Sequence, residues 1–162
     1  MDVVRLSRAA RSLAAVLVIL LGIAGVGCGS GSNANDAKLR SEIGSLCRSA
    51  AARERALRIT HQRTRSHSLR QTARLVDRSG AIVRELAIKI LRRVPPPSGR
   101  QFRAYGGVLL SEAASLHDLA TAIAHHRTKQ LPRLSHRVAA FGQIARRQAA
   151  SAGLAGCGQA PK

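Results

Sequence analysis

The sequence predicts an all-α fold: an antiparallel four-helix bundle that follows an N-terminal signal helix and a flexible tether. Three observations carry this. Apolar residues recur at spacings of three, four or seven along four separate segments, the mark of one buried helical face. No segment alternates with period two, and β-rich runs are missing outside the N-terminal stretch. The only aromatics are Phe102, Tyr105 and Phe141, so the core must rest on Leu, Ile, Val and Ala, which pack well between helices.

The chain opens with Arg5, Arg8 and Arg11, then an uncharged apolar run from Leu13 to Val26, then Gly27-Cys28. A basic start, a short apolar run and a small-residue processing point form an export signal, assigned to residues 1–27. The run is shorter than the roughly 20 residues that span a bilayer, which favours cleavage over a permanent anchor. Cys28 directly after the small residues is the position at which a bacterial lipoprotein is lipidated. An uncleaved anchor and ordinary signal cleavage are the alternatives, and all three place the rest of the chain outside the cytoplasm. The expected location is thus the outer face of the cell membrane, with a lipid anchor on Cys28.

Residues 28–35, rich in Gly, Ser and Asn, read as the tether, and residues 36–158 as the bundle domain. Asp36 is placed to cap the first helix, whose face is Leu39, Ile43, Leu46, Ala50 and Leu57. It fades between Thr60 and Ser68, where Thr, Ser and His cluster. The second face runs Leu69, Ala73, Val76, Val83, Ala87, Ile90 and Val94, and stops at Pro95-Pro96-Pro97 because proline lacks an amide donor and clashes with the preceding turn. Ser98-Gly99 starts the third helix, with Phe102, Tyr105, Leu109, Leu116, Leu119 and Ile123 inward. Gly106 and Gly107 lie within it and imply a close helix contact or a kink. After a break from His125 to Pro132, a fourth helix carries Leu134, Val138, Phe141, Ile144 and Ala145 to near Gly153.

With Cys28 given to lipid, Cys47 and Cys157 remain, one near each end of the bundle domain. In an oxidising compartment they would pair and tie the ends together. Two free thiols or an intermolecular bond are the other outcomes. Neither cysteine has a partner at zinc-site spacing. The lipoprotein-like start, Leu46-Cys47-Arg48, the mid-chain proline break and the closing Ala152-Gly153-Leu154-Ala155-Gly156-Cys157-Gly158 together resemble small cysteine-bridged helical lipoproteins of high-GC Gram-positive bacteria. That group has no established function, so the resemblance implies fold, disulfide and compartment but no activity. Gly25 in the processing box and the high arginine content depart from it.

The chain holds 27 Lys+Arg against 8 Asp+Glu, a formal +19. Between Arg48 and Arg103 there are 15 basic and 3 acidic residues, whereas Ala104 to His126 contains no Lys or Arg. One face is therefore expected to be strongly positive, with Arg63, Arg65, Arg70, Arg74, Arg92 and Arg93 as candidate contacts. Guanidinium forks suit phosphate and carboxylate oxygens, so anionic lipid or wall polymer is the expected partner. Plain solvated surface is the bland alternative, since long Arg stems also cover apolar flanks. Nucleic acid is not expected, because basic residues are not interleaved with aromatics.

No catalytic constellation emerges, and a non-enzymatic role with no cofactor is the expectation. The histidines His61, His67, His117, His125, His126 and His136 form no HExxH, and a haem-attachment CxxCH is missing. Carboxylates that could turn inward are few: Glu42, Glu54, Glu85, Glu112 and Asp118. A metal- or small-ligand-binding bundle is the alternative function, suggested by the histidines and by Gly106-Gly107, which could line a gap in the core.

Overall fold

A computed structural model of the chain describes residues 30–63, 68–95, 99–154, 156 and 157, with side chains from residue 34 onward. The segment read as an export signal, Cys28, Arg65 and His67 lie outside the described residues. Four helices make up the described residues: α1 (Ser30–Gln62), α2 (Leu69–Arg93), α3 (Arg100–Ala124) and α4 (Leu131–Ser151), with a 3-10 turn at Thr128–Gln130 before α4. No strand occurs among the described residues, and no helix among them is long and apolar enough to cross a membrane.

Cross-helix contacts fix the topology. Arg93–Glu42 at 3.7 Å and Arg53–Glu85 at 2.6 Å join α1 to α2 with the chain directions opposed. Asp77–His117 at 3.0 Å and Leu91 against Gly106 do the same for α2 and α3, and Asp118–Arg137 at 3.4 Å and Glu112 against Gly142 for α3 and α4. The Arg40 side chain of α1 covers Gly153 just past α4, which closes the ring. This is an up-down-up-down bundle, in which α1 and α3 run parallel on the diagonal.

Local sequence sets the helix ends. Ser68 and Gln71 form a capping box: the Ser68 hydroxyl accepts from the Gln71 amide at 3.2 Å, and the Gln71 side chain accepts from the Ser68 amide at 3.0 Å. The second helix ends at Arg93, with Val94 extended ahead of Pro95. Gly99 begins α3 at φ 68°, and a Cβ there would stand 2.6 Å from a Val94 methyl, so only glycine fits on both counts. Beyond α4, Gly153 is again left-handed. Its amide donates to the Ala150 carbonyl at 3.0 Å, and the Leu154 amide donates to the Ala149 carbonyl at 2.9 Å. These are the two bonds of a Schellman motif, and buried Leu154 is its apolar anchor. The motif turns the chain back across α1, and Cys157 meets Cys47 in a disulfide with Cα atoms 5.1 Å apart.

The main core gathers at this disulfide end. Ile43, Ile90, Phe102 and Ala87 are fully excluded from solvent, with Val94, Leu86, Tyr105, Leu109 and Leu154 packed around them. Two glycines let α2 and α3 approach closely. A Cβ on Gly106 would lie 2.9 Å from Leu91, and one on Gly80 would lie 3.2 Å from Leu116. Gly106 is therefore a close helix contact and not the edge of a gap.

Three expectations are corrected. Asp36 lies inside α1, which begins at Ser30, and does not cap it, because extending an existing helix adds one hydrogen bond per residue without a new nucleus. Leu69 sits at the first position of α2 and is 51% exposed, and Ile144 is 40% exposed beside the truly buried Ala145. Ile82 and Leu86, passed over in the periodic pattern, are buried instead.

Candidate functional site

Two regions bring polar side chains together. The first lies at the middle of the bundle. Cys47 and Glu54 are seven residues apart on α1, and Tyr105 and Glu112 are seven apart on α3, so two turns separate each pair on one face. Because the helices run parallel, contact between Cys47 and Tyr105 at one level sets Glu54 level with Glu112 two turns further on. The inner face of α4 at that level is Gly142 and Ala145, too small to fill the space. A cavity of about 270 Å³ results, lined by residues of all four helices, with both glutamates, Tyr105, Ile82 and Leu109 in its wall.

Burial holds the Glu54 carboxyl above its ordinary value, with the Arg58 guanidinium pulling the other way. Burial also raises Glu112, Glu54 adds to the rise, and Arg146 opposes it. Arg58 and Arg146 are exposed and line the same cavity. A Cβ on Gly142 would be 3.3 Å from a Glu112 carboxylate oxygen and 3.7 Å from an Arg146 guanidinium nitrogen. The two side chains thus both lie over one glycine without closing an ion pair. Tyr105 is almost wholly buried, and burial followed by the Glu112 charge pushes its hydroxyl above the usual phenol range. Among the described residues its hydroxyl has one hydrogen-bond partner, a disulfide sulfur at 3.8 Å, a weak acceptor.

The second region is the outer surface of α2. At about 100° per residue, Arg70, Arg74, Arg78, Arg84 and Arg92 fall within one outward arc of roughly 120°. All five are exposed and none makes an ion pair among the described residues. The acids on this surface are already engaged: Asp77 with His117, and Glu85 with Arg53 and Lys89. The hydrogen bonds from Lys89 and Arg53 hold the Glu85 carboxyl down at about 2.

Of the six arginines singled out in the sequence, Arg70, Arg74 and Arg92 belong to this row. Arg63 is exposed just past α1, at the same end of the bundle as Arg70. Arg93 turns aside to Glu42 on α1, and Arg65 lies outside the described residues. Arg78 and Arg84 were missed, although four-residue spacing from Arg74 would have found Arg78. The described histidines do not converge. His117 pairs with Asp77, while His125 and His126 end α3, with His126 at φ 55°. Among the described residues no group of three or more His, Cys, Asp or Glu could hold a metal ion. Compared with known proteins, the chain matches no family model, no curated protein and no solved structure.

Proposed function

We propose that this chain is a non-enzymatic helical bundle, held by lipid on Cys28 at the outer face of the cytoplasmic membrane and laid on anionic lipid by α2. The supporting observation is the unpaired arginine row. From Arg70 to Arg92 it runs about 33 Å at 1.5 Å per residue, one exposed strip along α2 that suits an extended anionic surface. Each apposed arginine contributes roughly 1 kcal/mol against an acidic leaflet, so the row orients a body that acyl chains anchor. The export-type start and the Cys47–Cys157 pairing agree with an oxidising, extracytoplasmic setting.

The test is cosedimentation of the unlipidated domain with vesicles. Binding should require phosphatidylglycerol, vanish on pure phosphatidylcholine and fall with salt. The triple change Arg70→Gln, Arg74→Gln, Arg78→Gln should weaken it by roughly a hundredfold at about 1 kcal/mol per charge. Equal binding to neutral vesicles, or an unaffected triple variant, overturns the reading. The anchor is tested separately by the intact mass of membrane-recovered protein, which should start at Cys28 and carry lipid. A second reading, a small-ligand-binding bundle, draws on the cavity between Glu54 and Glu112.

A further inference from the structure

We infer that the mid-bundle cavity binds a small zwitterion with an apolar side chain, of the α-amino-acid type, its ammonium between Glu54 and Glu112 and its carboxylate toward Arg58 and Arg146. This names the ligand class for the small-ligand reading and owes nothing to the arginine row.

The first support is an imbalance in pairing. The chain has more than three basic residues for each acid, and Glu42, Asp77, Glu85 and Asp118 all sit in ion pairs. Glu54 and Glu112, half-buried and sharing one cavity, have neither a hydrogen bond nor an ion pair among the described residues. Desolvated carboxylates left without a partner are costly, and a cation placed between them removes that cost.

Tyr105 supplies a second, separate observation. Its hydroxyl is buried in the cavity wall with only sulfur to donate to, so its oxygen lone pairs are unused. It can accept a hydrogen bond at the level of the disulfide, two turns of helix from the carboxylates.

The remaining lining selects the class. A lone amine would meet two guanidiniums as it entered, and a lone carboxylate would meet two glutamates inside. A zwitterion satisfies both sets, and the four charged groups sum to zero as it does. Ile82, Val83, Leu86 and Leu109 give its side chain an apolar wall. A bare divalent cation fits less well, since calcium takes 6–8 oxygen ligands and two carboxylates offer at most about four. The volume of about 270 Å³ is just under the roughly 300–1,000 Å³ typical of sites for drug-sized ligands, which suits a smaller molecule.

The experiment titrates the disulfide-intact domain with L-leucine, isoamylamine and 4-methylpentanoate, following backbone amide shifts and heat. Leucine should perturb amides around Glu54, Glu112 and Gly142 and bind at least about tenfold more tightly than either half-molecule, the loss of one charge-assisted hydrogen bond being worth about that factor. Glu112→Gln and Arg146→Gln should each weaken leucine by a similar factor, and the thermal midpoint of each variant checks that it is folded. If isoamylamine alone binds as tightly as leucine, the zwitterion inference falls and a cation-binding cavity stands in its place. If none of the three perturbs the cavity, the small-ligand reading falls with it.

Discussion

The two halves of the bundle, divided at the level of Glu54 and Glu112, use the same four helices and pack them differently. Toward the disulfide, large residues are fully buried: Ile43, Ile90, Val94 and Phe102 all lose their solvent contact. Toward the other end, most of the buried positions are small, namely Ala73, Gly80, Ala113, Ser115, Ala120 and Ala122, with Ile82 at the boundary. There the larger residues Leu57, Leu75, Leu116, Leu119 and Leu134 are only half-buried, while Ile59 and Leu69 are about half exposed. Apolar periodicity is equally regular in both halves. What differs is a covalent clamp at one end and residue size at the other, so pattern alone does not fix how tightly helices close.

Removing the clamp should produce the largest change. Replacing Cys47 and Cys157 together by Ala opens a loop of 110 residues, worth roughly 4–5 kcal/mol in the chain-entropy account. Denaturant titration should show a loss of that order, and a loss below about 1 kcal/mol would mean that packing alone holds this end. Next come matched truncations. Phe102→Ala should cost about 3–5 kcal/mol, whereas Ile59→Ala in the other half should stay within about 0.5 kcal/mol. Equal costs would erase the contrast between the halves. At the start of α2, Ser68→Ala removes one side of the capping box and should cost about 1 kcal/mol. Because that end is loosely packed, hydrogen exchange should show the loss confined to the first turns of α2.

The smallest effect is in the pH profile. The raised carboxyls of Glu54 and Glu112 burden the folded state at neutral pH. That burden lifts as pH falls through their raised values toward the ordinary 4.5. Glu85 acts oppositely: its contribution is present above 4.5 and is lost as pH falls toward about 2. The thermal midpoint should therefore rise slightly on mild acidification and then fall. In the double variant Glu54→Gln, Glu112→Gln the rise should disappear. A rise that survives would locate the raised groups elsewhere.

Much of the fold was legible in the chain. Pro95 and Ser68 mark helix ends by backbone chemistry that no neighbour alters, and Leu39, Ile43 and Leu46 hold their face under any packing. Leu69 and Ile144 were misassigned because apolar identity does not say where an element begins or which of two adjacent residues turns inward. The arginine row was half legible, since Arg70 and Arg74 share a face by spacing alone, while Arg93 is diverted by Glu42 on another helix. The mid-bundle cavity was not legible as a site. Glu54 and Glu112 stood out as scarce acids, but their meeting depends on the register of two helices that are not neighbours in sequence. The equal seven-residue spacings, Cys47 to Glu54 and Tyr105 to Glu112, hold that register in plain view once one contact is known.

The Schellman turn at Gly153 has a mechanical consequence. By folding the tail back onto α1, it lets the Cys47–Cys157 bond serve as the shortest covalent route between the segments on either side of the pair. Tension applied on either side of the bond passes through two sulfur atoms, and the bundle's intervening residues stay slack. Pulled from both ends, the molecule would lengthen only by what lies outside the bond until that bond is reduced.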